Sequence, residues 1–142
     1  MRKLFYAIGA AICLATSNLA SAAVCYKMNI YNNSGTAVYP GGSAIVYGPF
    51  QAPCPVEMAV FKFEDLSGNS PTNVIRHVLE KRITSSYWQP VYQVVTRNAR
   101  THSFQYAVSS PYEYRYRIIN EGTSIIMNWS MEGKTPAAYI PY

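Results

Sequence analysis

Aspartate, histidine and cysteine are scarce in this 142-residue chain, which has one aspartate, Asp65, two histidines, His77 and His102, and three cysteines. A Ser-His-Asp triad would have to use Asp65 with one of the two histidines, and no Gly-x-Ser-x-Gly elbow presents a serine. A metal site fares no better. His77 and Glu80 stand three apart, a spacing that shares a face only on a helix, and no third ligand completes the set. Internal repeats and low-complexity tracts are absent, and after the N-terminal segment no apolar run is long enough to cross a bilayer.

The N-terminus has the parts of a secretory leader. Met1-Arg2-Lys3 is basic, Leu4 to Ala15 is mostly apolar, and Ala20-Ser21-Ala22 offers a small-residue cleavage site. Residues 1–22 are therefore expected to be a signal peptide and residues 23–142 one domain, placed in the periplasm or outside the cell. Val24, a branched residue before Cys25, argues against lipoprotein processing. Cleavage after Ala22 removes Arg2, Lys3, Tyr6 and Cys13, so 120 residues remain with 10 basic against 7 acidic side chains, a net charge of +3. That balance disfavours nucleic acid and suits an acidic protein, an anionic glycan or lipid headgroups.

Two cysteines then remain in an oxidising compartment, and a Cys25–Cys54 disulfide is expected. Closing that loop removes about 3.6 kcal/mol of unfolded-chain entropy in the simple chain model. The spacing is too short, with no tryptophan between the two cysteines, for an immunoglobulin bridge.

What the chain has in quantity is alternation. In Tyr112–Met131, Tyr112, Tyr114, Tyr116 and Ile118 oppose Glu113, Arg115 and Arg117, and Ile125, Met127, Trp129 and Met131 then alternate with polar residues, Ile126 excepted. With Asn120-Glu121-Gly122 as the turn, the two halves are predicted to form a hairpin that pairs Ile118 with Ile125 and Tyr114 with Trp129. Further strands are expected at Val24–Tyr31, Thr36–Tyr39, Ser43–Phe50, Val56–Phe63, Tyr87–Val95 and Ser103–Val108. A turn at Asn32-Asn33-Ser34-Gly35 separates the first two, and the tail after Gly133 reads as extended or loose. Val56–Phe63 is apolar on both faces, the mark of a central strand.

Between Thr72 and Arg82 the pattern changes. Ser70-Pro71 suits a helix start, and Val74, Ile75, Val78 and Leu79 recur at helical spacing, so a short helix is preferred to a strand that would bury His77 beside Lys81. The sum is a mainly β protein, an antiparallel β-sandwich or small barrel of about 7–8 strands with one short helix.

Tyrosine is abundant, with 12 in the 120 residues after the leader. Such residues serve both strand cores and contact surfaces. Arg115 and Arg117, one strand step apart, have the spacing to grip a carboxylate or phosphate, and Asn128 falls on the same predicted hairpin face. Tyr87 and Trp88, beside Pro90, are the other candidate contacts. The preferred reading is an exported, non-catalytic protein that recognises another protein, of the immunity, inhibitor or assembly-factor type, without cofactor or metal. The alternative is a surface-acting protein that binds glycan or lipid headgroups through Tyr, Trp and Arg. A third is a small hydrolase or nuclease that would need His77, His102 and Arg100 to meet around one phosphate.

Overall fold

Two four-stranded antiparallel sheets face each other in the computed structural model, which describes residues 27–68 and 72–137. The strands are β1 (Lys27–Val38), β2 (Ser43–Gln51), β3 (Glu57–Asp65), β4 (Val74–Arg82), β5 (Trp88–Arg97), β6 (Thr101–Val108), β7 (Glu113–Asn120) and β8 (Ile126–Ala137). One sheet runs β1-β8-β3-β6 and the other β2-β7-β4-β5, a jelly-roll order in which most successive strands change sheet. The expected β-sandwich is therefore the fold. The expected leader, residues 1–22, lies outside the described residues, as does Cys25, the expected partner of the buried Cys54.

The core is aromatic. Tyr47, Phe61, Phe104 and Tyr116 meet edge to face or tilted, with ring centroids 5.0 to 5.7 Å apart. Each buried phenol finds a partner: the Tyr47 hydroxyl lies 2.9 Å from Thr135 Oγ1, and that of Tyr116 lies 2.6 Å from His77 Nδ1. Tyr114 Oη accepts from the Ser109 N–H at 3.2 Å. Tyr114 and Tyr116 thus belong to the interior, and Tyr112 stays 40% exposed.

Three sequence expectations are corrected. Among the described residues there is no helix, and residues 74–82 of the expected Thr72–Arg82 helix form β4. That strand is central, between β7 and β5, and is buried on both faces. Ile75, His77 and Leu79 point inward, while Val78 and Glu80 are covered on the outer side. Apolar residues of both parities in succession mimic a helical stripe, which is how the spacing misleads. Burial of His77 is made possible by hydrogen-bond partners on both ring nitrogens.

The hairpin of residues 112–131 does not form either. β7 pairs with β2 and β4, and β8 with β1 and β3, so residues 121–125 cross from one sheet to the other. Asn120 fastens this corner. Its Nδ2 donates to the carbonyls of Val38 and Ser124, both at 2.8 Å, and its Oδ1 accepts from Gly122 N–H at 3.0 Å. The inward set of β7 is as the alternation predicts, but β8 begins in the opposite phase. Ile126 is 1% exposed, whereas Ile125 and Met127 are open to solvent.

Third, Asn32-Asn33-Ser34-Gly35 is no turn, since β1 runs through it in unbroken register with β8. Gly35 serves packing: a Cβ there would stand 2.3 Å from Cζ2 of Trp129, so only glycine lets the indole lie across the strand. After Gly133 the tail takes the extended of its two expected forms, since β8 continues to Ala137 along β1.

Candidate functional site

The outer face of the β2-β7-β4-β5 sheet is a lattice of ion pairs. In the antiparallel register Glu80 of β4 stands opposite Arg115 of β7, with Arg117 one strand step along. One Glu80 oxygen accepts from Arg115 Nε and the other from Arg117 Nη2, each at 2.6 Å. The carboxylate is 3% exposed and the arginines 22% and 28%. Arg82 and Glu113 form a second pair at 2.6 Å, and Arg76 and Glu121 a third at 2.6 Å. The two arginines do grip a carboxylate as their spacing suggests, but the carboxylate is the chain's own. The cluster of Arg115, Arg117 and Glu80 keeps one net positive charge.

This lattice fixes an aromatic surface at one end of the sheet. Arg115, held by Glu80, lays its guanidinium carbon 4.3 Å from the centre of the Trp88 ring, with that of Arg82 5.8 Å away. Trp88 is half-buried at the start of β5, directly opposite Arg82 at the end of β4. The turn between these strands exposes Ile83 and Tyr87, the latter by 54%. It is closed by hydrogen bonds from Ile83 N–H to the Tyr87 carbonyl and from Tyr87 N–H to Thr84 Oγ1, each at 3.0 Å. Tyr112 enters from the β6–β7 connection, under the Lys81 ammonium at 4.3 Å. A groove of about 470 Å³ runs between the two segments, walled by Arg82, Ile83, Tyr112 and Glu113.

Of the candidates read from sequence, Trp88, Tyr87, Arg115 and Arg117 thus gather on one sheet. Asn128 does not join them. It belongs to β8 in the opposite sheet, where its carbonyl accepts from Leu66 N–H at 2.8 Å and its side chain faces a depression shared with Ser34 and Thr36. Glu80, Arg82, Ile83 and Tyr112 were missed as site residues. Tyr112 carried a signal, as the one phenol of its row outside the core, but only the crossover brings it beside the β4–β5 turn.

His77 and His102 do converge, with ring centroids 4.4 Å apart, but His77 lies in the interior and His102 is half-buried on β6. His77 is 1% exposed, and its ring nitrogens are occupied by Tyr116 Oη and by Thr96 Oγ1 at 3.0 Å. Burial, followed by the neighbouring His102, pulls its pKa down to about 3, and burial lowers that of His102. His102 Nε2 lies 3.2 Å from Tyr92 Oη. His77 thus has no free ring nitrogen to present to a phosphate, and Arg100 is turned to the Gly68 carbonyl. Asp65 is held in turn by Asn73 Nδ2 at 2.6 Å and Ser67 N–H at 2.8 Å. On a strand, His77 and Glu80 point to opposite faces, which removes the two-residue start of a metal site.

No family model and no curated protein matches the chain. Among solved structures it is similar to the Yersinia pseudotuberculosis-derived mitogen, at 12% identity and a TM-score of 0.53, over 75% of this chain and 86% of that one. That likeness is one of fold.

Proposed function

We propose that the chain is an exported, non-catalytic module that recognises another protein through the surface around Trp88. The observation that carries this reading is the Trp88–Arg115 stack, braced by a buried carboxylate, with the exposed Ile83, Tyr87 and Tyr112 at the same end of the sheet. Trp, Tyr and Arg are the residues that dominate binding energy at protein interfaces. Here the arginine is fixed before any partner arrives, so less ordering entropy is lost on contact. Export rests on the leader at residues 1–22, and the Cys25–Cys54 bridge belongs to the same reading. Immunity, inhibitor and assembly factors are the kinds of protein that such a small rigid module fits. The mitogen is named for an effect on other cells, which is compatible with a secreted binding role here but does not specify one.

The test is purification of the oxidised chain from its own compartment under mild conditions, with mass spectrometry of what accompanies it, beside Trp88→Ala and Tyr87→Ala. One protein near equal stoichiometry is expected, lost at least tenfold in either variant while the far-ultraviolet spectrum is unchanged. An unaccompanied chain that binds glycans or anionic vesicles through the same residues would transfer the site to the surface-acting alternative. A partner retained by both variants would remove Trp88 and Tyr87 from the interface.

A further inference from the structure

The charges of this sandwich are distributed unevenly between central and edge strands. The four edge strands, β1, β2, β5 and β6, carry only Lys27 and Arg97, each at a strand end. Every other charged strand residue stands on β3, β4, β7 or β8. Natural sheets guard their edges with charge, proline, bulges or irregular backbone, because unpaired N–H and C=O groups otherwise accept a foreign strand.

Three of the four edges have such a guard. β2 shifts register twice, between Ile45 and Tyr47 and between Tyr47 and Phe50, around a Gly48 at φ 93° and a proline without an N–H. β1 bends at Ala37, which takes the left-handed φ of 37°. β5 contains Pro90, beside the bulge at Leu79–Glu80. β6 has none of these. It runs THSFQYAV without charge, proline or glycine, and pairs with β3 at every position from Glu57–Val108 to Glu64–Thr101. Among the described residues its only neighbour in the sheet is β3.

We infer that β6 is an interaction edge and that its occupant is β6 of a second copy of this chain. A neutral strand meets no like charge when it lies antiparallel to itself, and a second copy is present wherever the first is. The antiparallel arrangement also closes under a two-fold axis, so the contact ends at a dimer rather than a fibre. The two outer sheets join into one of eight strands, β1-β8-β3-β6 continued by the same order reversed. A second feature sits at the same edge: an apolar recess of about 260 Å³ lined by Val60, Ser103, Phe104 and Gln105, where outward side chains of an added strand would stand. This inference is independent of the Trp88 surface, which lies on the other sheet.

The experiment is sedimentation velocity of the chain as purified, over a hundredfold range of concentration, with Ser103→Lys/Gln105→Lys and the control Thr36→Lys on the β1 edge. All three positions are exposed, so the fold tolerates the lysines. The expected result is a concentration-dependent dimer, weakened about tenfold or more by the β6 lysines because like charges face across the axis, and unchanged by Thr36→Lys. Amide exchange on β6 should slow as concentration rises. A monomer at all concentrations overturns the inference, as does a dimer indifferent to the β6 lysines or equally sensitive to Thr36→Lys.

Discussion

Acid should destabilise this protein from about pH 6.5 downward, and His77 is the reason. Its pKa is near 6.5 in an unfolded chain and about 3 in the fold, because the ring sits in the interior against His102, Tyr116 and Phe63 with both nitrogens engaged. The unfolded state therefore binds the proton more readily, and stability rises with pH across the interval between the two values. Stability is complete above pH 6.5 and falls as the pH drops through the interval toward 3. Linkage puts the loss at pH 4.5 at about 3 kcal/mol, and on the order of 5 kcal/mol once both states are protonated. The lowered pKa of His102 acts in the same direction. Against a usual total of roughly 5–15 kcal/mol, that is a large share. Urea denaturation at pH 7.0, 5.5 and 4.5 measures it, with His77→Gln as the comparison. The variant should be less stable at pH 7.0, since the buried Tyr116 hydroxyl loses its best partner, but should have the shallower pH dependence. Parallel losses in the two proteins between pH 6.5 and 4.5 would refute the assignment.

Two further perturbations test the packing and the ion-pair lattice. Gly35→Ala should cost about 1–3 kcal/mol by forcing the Trp129 indole off β1, read as a lower urea midpoint together with a changed tryptophan emission. An unchanged midpoint would mean that the ring has room to move. Glu80→Gln should cost about 1–3 kcal/mol, because two partly covered arginines lose their shared carboxylate, and should loosen the Trp88 stack. If Trp88 fluorescence and stability are both unaffected, Arg115 does not depend on Glu80 for its position.

The sandwich was legible in the sequence because period-two alternation over short segments has few other solutions, and the inward set Tyr114-Tyr116-Ile118 follows from it directly. What alternation does not encode is which strand lies beside which. Adjacent segments with matching faces suggest a hairpin, yet the same faces fit a crossover in which each strand packs against the other across the core. The side chain of Asn120, tied to Val38 and Ser124, is what distinguishes the two, and its partners are distant in sequence or invisible to pattern. The helix expectation failed for a related reason. A central strand in a sandwich is covered on its outer face only if something covers it, and nothing local to residues 74–82 announces that Arg115 and Arg117 do so.

The same ion pair explains why the candidate site was half readable. Arg115 and Arg117 were singled out for their capacity to grip an anion, which was sound chemistry with the wrong owner. Once Glu80 takes that capacity, the arginines become supports, and what remains for a partner is the far side of the Arg115 guanidinium and the Trp88 ring beneath it. A free arginine pair would select phosphate or carboxylate and would weaken steeply with salt. An arginine already paired to Glu80 and stacked on an aromatic ring instead offers flat, stiff area with one residual positive charge in its cluster, whose contacts depend on shape more than on ionic strength. On the function proposed above, such a surface is expected to take a folded protein and not a diffuse polyanion, and its binding should therefore change little with salt.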